Sequence, residues 1–288
     1  MKPLSPTRRR IYFIVFAVLF VVAVPIVITY AVGYRLDFVE SLILTERGGI
    51  YVYTPLAGVD IYVDDEKKLK TGLFSREYFT QNLKPGRYFI KAEHPDFLSW
   101  GKYVQVNAQR VASLYPFFVP KDFVATEIPE LVDDSSEATT TPELIKNESY
   151  TIYMELFDEK VDPEEEIIKR TFGNTEVWYE EYRLYAKWLG RGDWIPAYFC
   201  QNEHCINPSI FLELNSKLTH FEFYPGRDDV VIFSAEDGGV YVVEIDTRPE
   251  QTISTIYQSD NLVDFRVYDR DILVIKDNDK IITVNLEI

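Results

Sequence analysis

The first long pattern along the chain is apolar, with no polar alternation. From Ile11 to Val32 it reads IYFIVFAVLFVVAVPIVITYAV, 22 residues without a charge. At a rise of about 1.5 Å per residue such a helix covers about 33 Å, against a hydrocarbon core of about 30 Å. The pattern predicts a transmembrane helix over 11–32, with the lipid bilayer as its partner. Arg8, Arg9 and Arg10 precede it and Lys2 lies upstream. The positive-inside rule therefore sets a stub, 1–10, in the cytoplasm and the remainder outside the cell membrane. Tyr12 at one end, and Tyr30 and Tyr34 at the other, suit the interfacial belts, and Pro25 is tolerated as a kink. A cleaved signal peptide has a shorter apolar region and a small-x-small site, which Thr29-Tyr30-Ala31 matches poorly. The segment reads as an uncleaved, single-pass anchor.

Beyond a juxtamembrane connector, 33–46, the period changes to two. Val59, Ile61 and Val63 alternate with Asp60, Tyr62 and Asp64, which predicts a strand with one apolar face. Asp64-Asp65 and Lys84-Pro85-Gly86 are turn chemistry, and Tyr88, Ile90 and Ala92, then Val104 and Val106, continue the alternation. Between them, Ser75 to Phe79 reads as a brief helical turn capped by Ser75. From 150 to 288 the β pattern returns as an antiparallel meander. Asp229–Phe233 and Val240–Ile245 flank Asp237-Gly238-Gly239; Asp271–Ile275 and Ile281–Leu286 flank Asp277-Asn278-Asp279. The two hairpins start 42 residues apart, a spacing found in propeller blades. Leu218–Phe223 and Val263–Tyr268 precede them, and Glu176–Tyr179 with Leu184–Leu189 makes a third hairpin. Three blade-like units are fewer than the four or so of a closed propeller, so the expectation is a partial propeller or stacked sheets.

The run from Gly49 to Asp64, with Pro55-Leu56-Ala57-Gly58 at its turn, resembles the opening of a PEGA domain. Asn82-Leu83-Lys84-Pro85-Gly86-Arg87-Tyr88 and the aromatic Phe97 match the second half of that pattern. The stretch from the anchor through Gly33-Tyr34-Arg35-Leu36-Asp37 to Phe118 resembles membrane-anchored PEGA-domain proteins of small uncultured bacteria. The resemblance implies a small antiparallel β-sandwich over 47–120 on an envelope protein, and it carries over no catalytic residue. The fold class is thus all-β outside the membrane, a PEGA-like sandwich followed by a propeller-like meander, behind one N-terminal transmembrane helix.

Charge changes the picture in the middle. The net charge is −16, and the segment from Lys121 to Arg170 holds fifteen acidic against five basic residues. Its first part, 121–149, is rich in Ser, Thr and Pro and poor in large apolar residues, which predicts a flexible acidic linker. The overall negative charge argues against a nucleic-acid partner, because phosphate neutralisation needs clustered Lys and Arg.

Candidate chemistry is sparse. Two cysteines and three histidines exclude a multi-cysteine zinc framework. Cys200 and Cys205, with four residues between them including His204, read as a disulfide closing a small loop, since a structural zinc wants four ligands and redox catalysis favours C-x-x-C. Gly190-Arg191-Gly192-Asp193 is ordinary hairpin-turn chemistry. Asp277, Asn278 and Asp279 are turn formers rather than calcium ligands. His94 and His220 read as packing or surface positions. Neither a nucleophile elbow, a phosphate loop nor a His-Glu-x-x-His helix is present, so no catalytic, metal or cofactor residue is assigned. The expected function is non-catalytic binding or scaffolding at the outer face, toward an envelope protein or a glycan. The rival is an enzyme-linked sensor or hydrolase with its site on loops around Trp194 and Cys200–Cys205; a carboxylate pair with displaced titration there would favour it. A purely structural spacer is a third reading.

Overall fold

The computed structural model of the chain describes residues 6–31, 34–37, 43–134, 143–158, 168–191, 195–201 and 204–286. Its first element is a helix, Pro6–Ala31, with none of its residues buried against the rest of the protein. Twenty-six residues reach about 39 Å, long enough and apolar enough to cross a bilayer. The helix starts five residues before the apolar run because proline suits the first helical position, where its missing N–H is no loss. Further along, the Thr29 hydroxyl donates to the carbonyls of Pro25 and Ile26, both at 2.9 Å, next to the proline. The connector is not featureless: Tyr34–Asp37 pairs antiparallel with Ile43–Glu46.

Two sheets follow and share one core. In the first, the order is Glu77–Leu83, Gly48–Tyr53, Val111–Leu114; in the second, Glu66–Lys70, Asp60–Val63, Gly86–Glu93, Trp100–Val106. The alternating positions meet between them, with Ile50, Val52, Ile61, Val63, Ile90, Val104, Val106 and Leu114 all buried. Phe97 packs on this core, edge to face with Phe118 at 5.9 Å. Two expectations are corrected here. Val111–Leu114 runs parallel to Gly48–Tyr53, so the sandwich is not wholly antiparallel. Glu77–Phe79 is strand rather than helical turn, because its side chains alternate between exposed and half-buried faces while pairing with Gly48–Tyr53.

The rest of the chain contributes three four-stranded antiparallel sheets among the described residues. The first is Lys169–Phe172, Thr175–Glu180, Arg183–Trp188, Ser209–Glu213; the second is Leu218–Phe223, Val230–Ala235, Val240–Glu244, Ile253–Tyr257. The third takes Val263–Tyr268, Ile272–Asp277 and Lys280–Asn285 in order and adds Ala125–Ile128 as its outer strand. That pairing corrects the linker reading of 121–149. A residue such as Glu127 needs only one partner strand, and Ile281–Val284 offers an open edge that satisfies its backbone while its side chain stays in water. Within the same segment, Leu131–Asp134 pairs with Glu143–Lys146, and Asn147 caps a helix, Glu148–Glu155, by accepting from Ser149 N. Tyr150 Oη of that helix donates to Asp279 O, and Tyr153 lies edge to face with Tyr268, which docks it on the third sheet. Residues 135–142 lie outside the described residues.

The second sheet is buried on both faces. Val230 and Ile232 face one core with Phe265, Leu273 and Ile275, while Val231 and Phe233 face another with Val177, Leu184 and Phe211. This is why Val230–Phe233 reads as an unbroken apolar run instead of an alternation. Its hairpin needs Gly238 at φ +93, where a Cβ would fall on the Ser259 carbonyl. The other hairpin turns through Asn278 at φ 53.

The segment after the sandwich joins the halves. Phe117 enters the core beneath the second and third sheets, edge to face with Tyr224 at 5.0 Å, while Phe118 turns back into the sandwich core. The Arg227 guanidinium donates to the carbonyls of Tyr115 at 2.9 Å and Pro116 at 3.2 Å.

Candidate functional site

Where the sandwich meets the second sheet, one sandwich edge is sealed by charge. Along Trp100–Val106, Trp100, Lys102, Val104 and Val106 point inward, so a lysine occupies a core position. Lys102 is fully buried, and its ammonium finds three acceptors across the junction: Glu244 Oε2 at 3.0 Å, Asp246 O at 2.9 Å and Arg248 O at 3.2 Å. Glu244 in turn accepts from Trp100 Nε1 at 2.8 Å and from Thr252 N at 3.2 Å. Burial pushes the Glu244 carboxyl above the usual range, and Lys102 and the Trp100 indole pull it back only in part. Alongside, Arg248 grips both oxygens of Asp246, at 2.6 to 3.1 Å, and Tyr103 N donates to Pro249 O. A buried charge is tolerable only when paired and saturated with hydrogen bonds, and here it is.

Next to this seal opens a cleft of about 530 Å³, within the range that holds small ligands. Trp100, Gln105, Asn107, Arg110 and then Val111, Ala112 and Ser113 of the strand Val111–Leu114 bound it on the sandwich side. Opposite stand Ile195, Tyr198 and the Cys200–Cys205 pair, with Asp229, Asp246 and Arg248 at the base.

The cysteines form the disulfide that the sequence predicts, directly opposite each other on a two-stranded ribbon with Cα atoms 3.9 Å apart. Phe199 anchors that wall in the apolar core below, and Ile206 N donates to Phe199 O at 2.8 Å. Burial, with Asp229, Asp228 and Asp246 adding to it, pushes the Tyr198 phenol far above its ordinary range, so it stands in the wall as a neutral phenol.

The acids in the lining are each matched. Asp229 accepts two hydrogen bonds from Arg227, at 2.7 and 2.8 Å, as Asp246 does from Arg248 and Glu244 from Lys102. Of the two raised carboxylates here, Glu244 lines the cleft and is held by Lys102, while Asp228, raised by burial and by Asp229, accepts from the Asn174 backbone against Gly173 and does not line the cleft.

Other sequence candidates lie elsewhere. His94 accepts from Asp96 N and packs edge-on to Phe97. His220 sits among three sheets, edge-on to Phe265 at 4.9 Å, with Asp264, Arg266 and Arg170 around it; burial first, then Arg266, lowers it to about 4. Asp277 is spent within the turn region, accepting from Tyr257 Oη, Ser259 Oγ and Asn261 Nδ2. Trp194 and Gly192-Asp193 lie outside the described residues. Sequence reading missed Lys102, Glu244, Asp246 and Arg248. The available signal was a lysine on the inward face of one strand and a glutamate on that of another.

No protein-family model matches the chain, and no curated protein matches it.

Proposed function

We propose that the chain is a non-catalytic, membrane-anchored protein of the cell envelope that binds a partner at its outer face, in the cleft between the sandwich and the second sheet. The observation that carries this reading is the cleft itself, whose acidic groups are each locked in an ion pair. A wall of saturated charges is rigid and preorganised for binding, whereas proton transfer needs a group with an unspent partner position. The apolar helix supports a single-pass anchor, and the disulfide fits an oxidising compartment beyond the bilayer. The two-sheet sandwich fits the PEGA-domain resemblance. The three sheets, the last completed by a strand from far upstream, fit a partial propeller.

Two measurements test the proposal. A protease added outside spheroplasts digests the chain beyond the helix; protection of the segment Trp178–Ile288 contradicts the topology. A photo-crosslinking residue at Tyr198 captures a partner in intact cells, while the same residue at Lys187 does not. Equal capture at both positions, or at neither, contradicts the cleft.

A further inference from the structure

We propose that the cleft takes an extended peptide, added as a strand to the free edge of Val111–Leu114, with its C-terminal carboxylate against Arg110. The inference rests on the reading of the cleft as a binding site and names what it binds.

The sandwich brings two edge strands to this junction, and they are treated differently. Trp100–Val106 is covered by Asp246–Pro249 through Lys102 and the Tyr103 amide. Val111–Leu114 is the last strand of its sheet, and its Val111, Ala112 and Ser113 line the cleft. Gly49 N donates to Arg110 O at 2.9 Å, so strand alternation directs the backbone groups of Ala112 and Leu114 toward Gly48–Tyr53. Those of Val111 and Ser113 then point the other way, along the free edge. Among the described residues no backbone group pairs with them. Side chains follow the same alternation: Ala112 and Leu114 are buried in the sandwich, while Val111 is 49% exposed. An unpaired edge is a template for a further strand, and the cleft supplies room for one.

Charge selects the ligand's end. With Asp229, Glu244 and Asp246 each paired, Arg110 is the lining cation that makes no ion pair among the described residues. It stands where the turn Asn107–Arg110 ends the edge, with Gln109 at φ 61. A strand added there stops at the turn, so its terminus meets the guanidinium; a C-terminal carboxylate fits, which makes the added strand antiparallel.

The test uses the full chain in detergent micelles. The probe is a pool of dye-labelled hexapeptides alternating threonine with valine or tyrosine, made with free and with amidated C-termini. The free-acid pool binds, and amidation weakens it about tenfold, the loss of one charge-assisted pair. Bound peptide slows amide exchange at Val111 and Ser113 and leaves Ala112 and Leu114 unchanged. Ser113→Pro removes an N–H the sheet does not use, so it abolishes binding at unchanged thermal stability. Arg110→Gln makes the two pools bind alike. Binding that survives Ser113→Pro, or no slowing at Val111 and Ser113, overturns the inference. So does an edge already protected in the free protein, which assigns it to a second copy or to the chain itself. Capture of a glycan at Tyr198 with both amides unchanged overturns strand addition and leaves the cleft as a binding site; no capture at Tyr198 overturns the cleft.

Discussion

The two sandwich edges at the junction, Trp100–Val106 and Val111–Leu114, are neighbours in sequence and opposite in fate. The first has a lysine on its buried face and an amide that bonds across the junction, and it is sealed. The second has alanine and leucine on its buried face, and its outer backbone groups face a cleft. The difference teaches how one small module presents two surfaces. A charged residue on an inward face demands a partner, and the partner brings a covering loop with it. An apolar inward face satisfies itself within the sandwich and leaves the edge open.

Removing the charge that seals the first edge has the largest effect. Lys102→Met leaves Glu244 buried without its cation, and such a loss costs about 3–5 kcal/mol in denaturant unfolding. Pairing it with Glu244→Gln recovers most of that loss. If the double variant is as unstable as the single, the lysine acts through packing and not through the pair.

A titratable group buried neutral at a different junction calibrates this. His220 has its folded-state value lowered from 6.5 to about 4, by burial and then by Arg266 and Arg170, with Asp264 opposing. Its contribution is complete above about pH 6.5, declines as the pH falls, and is gone below about 4, because the unfolded imidazole takes the proton first. The difference is roughly 3 kcal/mol. Unfolding at pH 7 and at pH 4.5 shows the slope, and His220→Gln flattens it; equal slopes in both proteins refute the assignment.

The wall facing the open edge is braced by the disulfide. Cys200→Ser with Cys205→Ser lowers stability by about 2 kcal/mol on the loop-entropy estimate for so short a loop. It also weakens binding in the cleft while the Lys102 seal is untouched. Unchanged stability on reduction would show that the clasp does not hold this wall.

The smallest effects compare single amides. Tyr103→Pro removes the donor to Pro249 and costs about 1–2 kcal/mol. Ser113→Pro stays within about 0.5 kcal/mol, because no sheet hydrogen bond is lost. Similar losses in both variants would mean that both edges are covered.

Much of this architecture was legible along the chain, for local reasons. Asn278 and Gly238 announce their hairpins because few residues accept positive φ, and the 230–233 run announces a strand, though not that both its faces are buried. Cys200 and Cys205 were found because short spacing limits what two thiols can do. What escaped was non-local. Ala125–Ile128 is acidic and exposed on its own; only Lys280–Asn285, over 150 residues away, makes it a strand, as the Thr283 contact with Thr126 O across 157 residues shows. Trp100 and Glu244, 144 residues apart, look like an ordinary core residue and a surface acid until the fold joins them. The cleft inherits that blindness, since its two walls come from distant parts of the chain.

Amide hydrogen exchange of the free, full-length protein, resolved to single residues, tests the contrast between the edges most directly. Exchange is expected to be slow at Tyr103, Ala112 and Leu114 and fast at Val111 and Ser113. Slow exchange at Val111 and Ser113, or fast exchange at Tyr103, would contradict that contrast.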